Sequence, residues 1–190
     1  MSLQLITCCQ EKMHDTKLID KGFENFKKSK YFSEDRIKAD KYKVKYYGDV
    51  SAFGELSVYY SYNQTKKEEF LPYILLMVEK HKNYRYCTVA FDSFLEFFSG
   101  RNIDYDGTEK SLILYLKNLE KINAGQKEYL LYFLKLGATN SNIESINLLE
   151  LLNREGIGML KNQVKADSLK NASRIFNKNN GLINTTELGL

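Results

Sequence analysis

The sequence predicts an all-α protein built as a stack of helix hairpins, the arrangement of a short α-solenoid. Apolar residues recur at helical spacing in most segments, and strict alternation is confined to Tyr42, Val44 and Tyr46. The 190 residues include a single proline, whereas β-sandwiches and barrels need many turns that are usually rich in Gly and Pro. Hydrophobic residues at 43% and charged residues at 27% are typical of a globular protein. We therefore expect one helical domain over residues 15–178.

The segment 41–62 fits two interpretations. Its Tyr and Val content suits a strand hairpin that turns at Gly48-Asp49. In the second interpretation Gly48 ends one helix, so that the next helix can run antiparallel to it. The residues that would share one face of that next helix are Ala52, Leu56 and Tyr59 or Tyr60. We favour the helices, because the small side chain of Ala52 lets a neighbouring helix approach closely.

The same pattern returns in the segment 132–158. Gly137-Ala138 form a second point of close approach, a polar turn follows at 139–142, and the next helix ends at Gly156-Ile157-Gly158. The apolar face of that helix consists of Ile143, Ile146, Leu149 and Leu152. An intermediate copy runs from Phe70 to a turn near Lys82-Asn83, and then from Cys87 to Gly100. Ala52 and Cys87 are 35 residues apart, which is within the period of helix-pair repeats.

These segments resemble Sel-one-like repeats, which are related to the tetratricopeptide repeats. The family pattern has paired small residues late in the first helix, a turn that often holds Gly-Asp, then Ala, Leu and Tyr along the second helix, and a closing Gly-x-Gly. The matching residues are Gly48, Asp49, Ala52, Leu56 and Tyr60 in one copy, and Gly137, Ala138, Leu148, Gly156 and Gly158 in another. In the middle copy Cys87 takes the place of Ala, and only Gly100 of the closing pair is present. The resemblance covers about residues 34–160 and implies a stack of helix pairs.

Three further helices complete the prediction. An amphipathic lead helix is expected over 15–28, with Leu18, Ile19, Phe23 and Phe26 on its apolar side. Another is expected over 104–121, capped by Asp106 or Thr108, with Leu112, Leu114, Leu116 and Leu119 on its apolar side. A capping helix after Gly158 would cover the last apolar face with Leu160, Val164, Leu169, Ile175 and Phe176. Residues 179–190 are expected to be a frayed tail.

The first residues, MSLQLITCCQ, resemble a bacterial lipoprotein box. A branched apolar residue three positions before a cysteine is part of that pattern, and both Cys8 and Cys9 can be aligned with it. The resemblance implies that 1–14 are the remnant of a signal or a tether, with Cys8 or Cys9 as the lipid anchor and a periplasmic or cell-envelope location. The other interpretation is an ordinary first strand or helix with two buried thiols, in a cytoplasmic protein. The sequence contains no apolar run of about 18 residues, so no transmembrane helix is predicted.

The sequence offers little catalytic or ligand-binding chemistry. The two histidines, His14 and His81, are not at helical spacing from another metal-type ligand, so neither a metal site nor a cofactor is predicted. A dyad of His81 and Cys87 would need an orienting partner, and a surface imidazole beside a buried thiol is the favoured interpretation. The net charge of +4 is too small to predict a nucleic-acid partner. The lysine-rich and aromatic stretch 27–47 is interrupted by acidic residues and is interpreted as a solvated helix face.

We therefore expect a noncatalytic module that binds a protein or peptide of unknown identity. Helix-hairpin stacks present extended surfaces, and tyrosines on such a surface are good anchors. The candidate groove aromatics are Tyr46, Tyr59 and Tyr62. Two alternatives stay open at this point, an immunity protein that neutralises a toxin and an enzyme on a helical scaffold.

Overall fold

The computed structural model describes residues 21–29, 32–102 and 106–179, and within these ranges it contains helices and no strand. The all-α prediction is therefore confirmed for this part of the chain. Cys8, Cys9 and His14 lie outside the described residues, as does the predicted tail beyond Asn179. The chain divides into two compact units between His81 and Lys82. The single repeat domain over 15–178 stays a prediction.

The first unit begins its described part with helical residues 21–27. The elements that follow are α1 (Glu34–Tyr47), α2 (Val50–Tyr62), a 3-10 segment (Gln64–Phe70) and α3 (Leu71–Leu75), which continues as a π turn (Leu76–Lys80). Ser33 caps α1 by accepting a hydrogen bond from the backbone N–H of Arg36 at 3.4 Å. Helices α1 and α2 pack against each other.

The turn at Gly48-Asp49 joins two helices, so the strand-hairpin interpretation of 41–62 is wrong. Gly48 ends α1 with a left-handed backbone at φ 64°. The Asp49 carboxylate then caps α2 by accepting the backbone N–H of Ala52 at 2.8 Å. These two local effects favour helix ends over a strand turn. The predicted α2 face is confirmed, because Ala52, Leu56 and Tyr60 are all buried.

The second unit contains the remaining helices. They are a 3-10 turn (Tyr84–Tyr86), α4 (Cys87–Ser99), α5 (Glu109–Leu116), a 3-10 turn (Lys117–Glu120), α6 (Ala124–Thr139), α7 (Ile143–Glu155) and α8 (Gln163–Asn179). Helix α6 packs on both α4 and α7, and α7 packs on α8. Thr108, one of the two residues predicted as the cap, caps α5. The N–H and the hydroxyl of Thr108 both donate hydrogen bonds to the Asp106 carboxylate. Gly100 and Gly156 end α4 and α7 with φ 63° and 73°.

The small residues Cys87 and Gly137 lie at a close crossing of three helices, and the close approach predicted at Gly137 is thereby confirmed. A Cβ atom at Gly137 would lie 2.8 Å from the Ser145 Cβ atom and 2.9 Å from the Cys87 Cβ atom. Cβ atoms do not come that close in folded proteins. Helix α6 therefore touches α4 on one side and α7 on the other through a position that only glycine fits.

Two predicted apolar faces are partly wrong. Leu114 is 61% exposed because it lies two residues from Leu112 and Leu116, on the opposite side of α5. Leu160 of the predicted capping helix lies before the observed start of α8 and is 92% exposed. Within α8, Val164 is 81% exposed, and Ile175 is exposed too. Val164 and Leu169 are about 140° apart around a helix and cannot share a face. The inward face of α8 instead runs through the partly or fully buried Ala166, Leu169, Ser173 and Phe176.

Candidate functional site

The last turns of α1 carry three exposed tyrosine rings, of which one contacts the other two. Tyr42, Tyr46 and Tyr47 are 54%, 50% and 70% exposed. The ring of Tyr42 lies 4.6 Å from that of Tyr46 and 5.9 Å from that of Tyr47, centroid to centroid. A hydrogen bond with Tyr47 raises the pKa of the Tyr42 phenol. Three large rings in contact at the surface of one helix end are a candidate anchor for a partner.

Two lysines extend this surface. Lys45 Nζ lies 5.3 Å from the centroid of the Tyr46 ring, and Lys80 Nζ lies 5.6 Å from the same centroid. Neither Lys45 nor Lys80 has an acidic partner among the residues that the structure describes, whereas the nearby Lys43 lies 3.7 Å from Asp40. We call the set Tyr42, Lys45, Tyr46, Tyr47 and Lys80 the tyrosine-lysine patch.

The patch is fixed by the way α1 ends. The last carbonyl groups of a helix have no partner within the helix. Lys80 Nζ donates to the Lys45 carbonyl oxygen at 2.6 Å, and His81 Nε2 lies 3.3 Å from the same oxygen. A Cβ at Gly48 would meet His81 Cγ at 2.6 Å, so this turn has room only for glycine. The positive charge of Lys80 also suits the negative end of the α1 dipole.

The structure separates the predicted groove aromatics into two clusters. Tyr46 lies in the tyrosine-lysine patch. Tyr62 stacks on Phe26 at 4.7 Å, and the half-buried Tyr59 packs against Phe23 at 6.0 Å. Tyr59 and Tyr62 thus hold the 21–27 helical segment against α2. Their use as binding residues stays a prediction.

Sequence reasoning missed four of the site residues, namely Tyr42, Lys45, Tyr47 and Lys80. The spacing of Tyr42 and Tyr46, four residues apart on one helix, is a signal that could have paired them. Lys80 gives no such signal, because it is 35 residues from Lys45 in the chain and reaches it only through the packing of α3 and the π turn on α1.

One buried and one partly buried group bear on the enzyme alternative. Cys87 is fully buried, and burial raises the pKa of its thiol to about 11, so it is protonated at neutral pH and a poor nucleophile. Burial likewise raises the pKa of Asp92 to about 7, although its hydrogen bond from the Tyr115 hydroxyl at 3.4 Å acts in the opposite direction. A carboxyl group with that pKa is suited to general acid-base chemistry. Asp92 is therefore the residue on which an enzymatic reading would depend.

Comparison of the chain with protein-family models, with curated proteins and with solved structures found no match. In the described ranges, no three His, Cys, Asp or Glu side chains are grouped so that they could hold a metal ion. None of the described helices combines the length and the apolar character needed to cross a membrane.

Proposed function

We propose that this chain is a noncatalytic helical-repeat module that binds an acidic segment of a partner protein through the tyrosine-lysine patch. The observation that carries the proposal is the patch itself. Its three rings are exposed, with Tyr42 in contact with both Tyr46 and Tyr47, and its two lysines have no acidic partner in the described part of the chain. Exposed aromatic clusters are typical of protein-binding surfaces.

The physical case rests on complementary roles for the rings and the charges. Tyrosine buries a large area on binding and loses little rotamer freedom, which makes it a frequent hot-spot residue. Lys45 and Lys80 attract carboxylates and disfavour basic segments. A segment in which acidic residues alternate with apolar ones therefore matches the patch better than a purely apolar or basic one.

The repeat family remains part of this proposal. Two helix hairpins with short turns, the buried Ala52 and the close approach at Gly137 support a Sel-one-like or tetratricopeptide-related stack. The glycine that ends α7 supports it as well. In such a stack each helix pair buries its apolar side against the next and leaves an extended surface free.

The location stays a proposal of its own. A lipid anchor at Cys8 or Cys9 would place the module at the periplasmic face of a bacterial membrane, and a chain without that anchor would be cytoplasmic. Mass spectrometry of the protein from its native host distinguishes the two. An acylated N-terminal cysteine supports the anchor, and an unmodified Met1 refutes it.

The binding proposal can be tested by NMR with two synthetic peptides. Both carry the same leucine and phenylalanine residues, and they differ only in having Glu or Gln at the remaining positions. We expect the Glu peptide to bind and to shift the amide signals of 42–47 and 80. Lys45→Glu/Lys80→Glu should weaken binding by about tenfold or more, and so should Tyr46→Ala.

Matched control variants come from exposed positions of the second unit. Lys117→Glu/Lys135→Glu makes the same change in net charge, and Tyr132→Ala removes a tyrosine that is 45% exposed. Both should bind the Glu peptide as the unmodified protein does. Equal binding of the Gln peptide, or equal loss in the control variants, refutes the proposal. If a single-stranded oligonucleotide binds more tightly than the Glu peptide, the partner is a nucleic acid and the proposal of a protein partner is refuted.

The immunity-protein alternative differs in its partner. It predicts a compact monomer with tight binding to one toxin and no response to the acidic peptide. The enzyme alternative predicts loss of an activity in Asp92→Asn. Both stay predictions.

A further inference from the structure

The second unit contains a cavity of about 640 Å³ that the tyrosine-lysine patch does not involve. Its volume is in the range of pockets that hold small organic molecules. The residues around it come from the start of α5, from α7 and from α8. Leu112, Leu148 and Leu151 give it an apolar side.

The α5 and α7 side of the cavity is already compensated in charge. Arg154 Nη2 lies 2.9 Å from Glu109 Oε1, and Arg154 Nε lies 3.6 Å from Glu150 Oε1 and 3.2 Å from Glu155 Oε1. These carboxylates raise the pKa of the Arg154 guanidinium. The positive charge of Arg154 is therefore compensated by these three carboxylates.

The α8 side carries two cations without such compensation. Lys170 and Arg174 line the cavity four residues apart on the same helix, and neither is paired with a carboxylate in the described ranges. Like charges at this spacing repel each other. Between them, Ser173 donates a hydrogen bond to Asn147 Oδ1 at 2.8 Å, which fixes this part of α8 against α7.

From this arrangement we infer that the cavity binds an amphiphilic organic anion. The carboxylate or phosphate of the ligand pairs with Lys170 and Arg174, and its hydrocarbon part lies against the three leucines. An anion relieves the repulsion between the two cations, and the guanidinium of Arg174 suits the paired oxygens of either anionic group. This site is independent of the proposed protein-binding function.

Octanoate and octyl phosphate are suitable probes, because they share the hydrocarbon chain and differ in the anionic group. We expect either or both to shift the NMR signals of 107–112, 147–154 and 170–174 in the full chain. Octan-1-ol lacks the charge and inorganic phosphate lacks the chain, so each should bind at least about tenfold more weakly. The ratio of octanoate to octyl phosphate affinity distinguishes a carboxylate ligand from a phosphate ligand.

Lys170→Gln/Arg174→Gln should weaken binding of the preferred anion by about tenfold or more. The control, Lys165→Gln/Lys178→Gln, removes two exposed charges from the same helix away from the cavity and should leave binding unchanged. Circular dichroism of both variants verifies that α8 is intact. The inference is overturned if octan-1-ol binds as well as the anions, if no probe shifts these signals, or if the two double variants behave alike.

Discussion

Replacing Gly137 with alanine tests the close helix crossing in the second unit. The new Cβ would lie 2.8 Å from the Ser145 Cβ atom and 2.9 Å from the Cys87 Cβ atom, so α7 and α4 are both too close for it. Overpacking of this kind costs about 1–3 kcal/mol. Alanine favours a helix over glycine by about 1 kcal/mol, which offsets part of that cost. With neighbours on two sides we expect a steric cost near the upper limit and a net loss of about 2 kcal/mol.

Gly125→Ala is the matched control, because it lies in the first turn of the same helix. The nearest atom to its added Cβ is Asn123 Oδ1 at 3.5 Å, an ordinary contact. This variant gains helix propensity without overpacking, and the difference between the two variants isolates the steric cost. Urea unfolding followed by circular dichroism at 222 nm measures the difference as a shift of the midpoint at constant slope. Equal stability of Gly137→Ala and Gly125→Ala would refute the close crossing.

Three more predictions concern single side chains. Ala52→Asp should lower the free energy of unfolding by a few kcal/mol, because it buries an unpaired charge, whereas Ser51→Asp on the exposed side of the same turn should have little effect in the same urea titration. Ser145→Ala should keep or raise stability by up to about 1 kcal/mol, since the buried Ser145 hydroxyl has no hydrogen-bond partner in the described part of the chain; a clear loss of stability in thermal unfolding contradicts this. Asp92 has a folded-state pKa of about 7 against a usual value of 3.8, so the protein should lose stability as the pH rises from about 4 to above 7. At 1.36 kcal/mol for each pKa unit the loss is at most about 4 kcal/mol; Asp92→Asn should remove it, and a parallel pH profile of the variant would show that Asp92 is not the cause.

Helix ends could be predicted from the sequence because they depend on local chemistry. Gly48, Gly100 and Gly156 each adopt a left-handed backbone that other residues avoid, and each one ends a helix. The cap at Thr108 is equally local. The close approach at Gly137 could also be predicted from the sequence, because a small residue there interrupts a helix face of large apolar side chains.

Features that depend on docking between helices could not be predicted in the same way. The inward face of α8 is selected by its contact with α7 and runs through Ala166 and Leu169, although Val164 has a larger apolar side chain than Ala166. Helix α4 packs on α6, although α5 lies between them in the chain. The spacing of apolar residues shows which face of a helix is buried but not which helix it packs against. The tyrosine-lysine patch has the same origin, since Lys80 reaches α1 only in the folded unit.

The π turn after α3 determines the direction in which the side chains of Lys80 and His81 point toward the end of α1. Its widened hydrogen bond runs from the His81 N–H to the Leu76 carbonyl oxygen at 2.9 Å and encloses one residue more than an α turn. Since each helical residue advances by about 100°, deleting one residue within 76–79 would rotate the following side chains by that angle. The His81 imidazole would turn away from Gly48, and the Lys80 ammonium group would turn away from the Lys45 carbonyl oxygen to which it donates a hydrogen bond. A single-residue deletion far from the tyrosines in sequence would thus dismantle the surface they share.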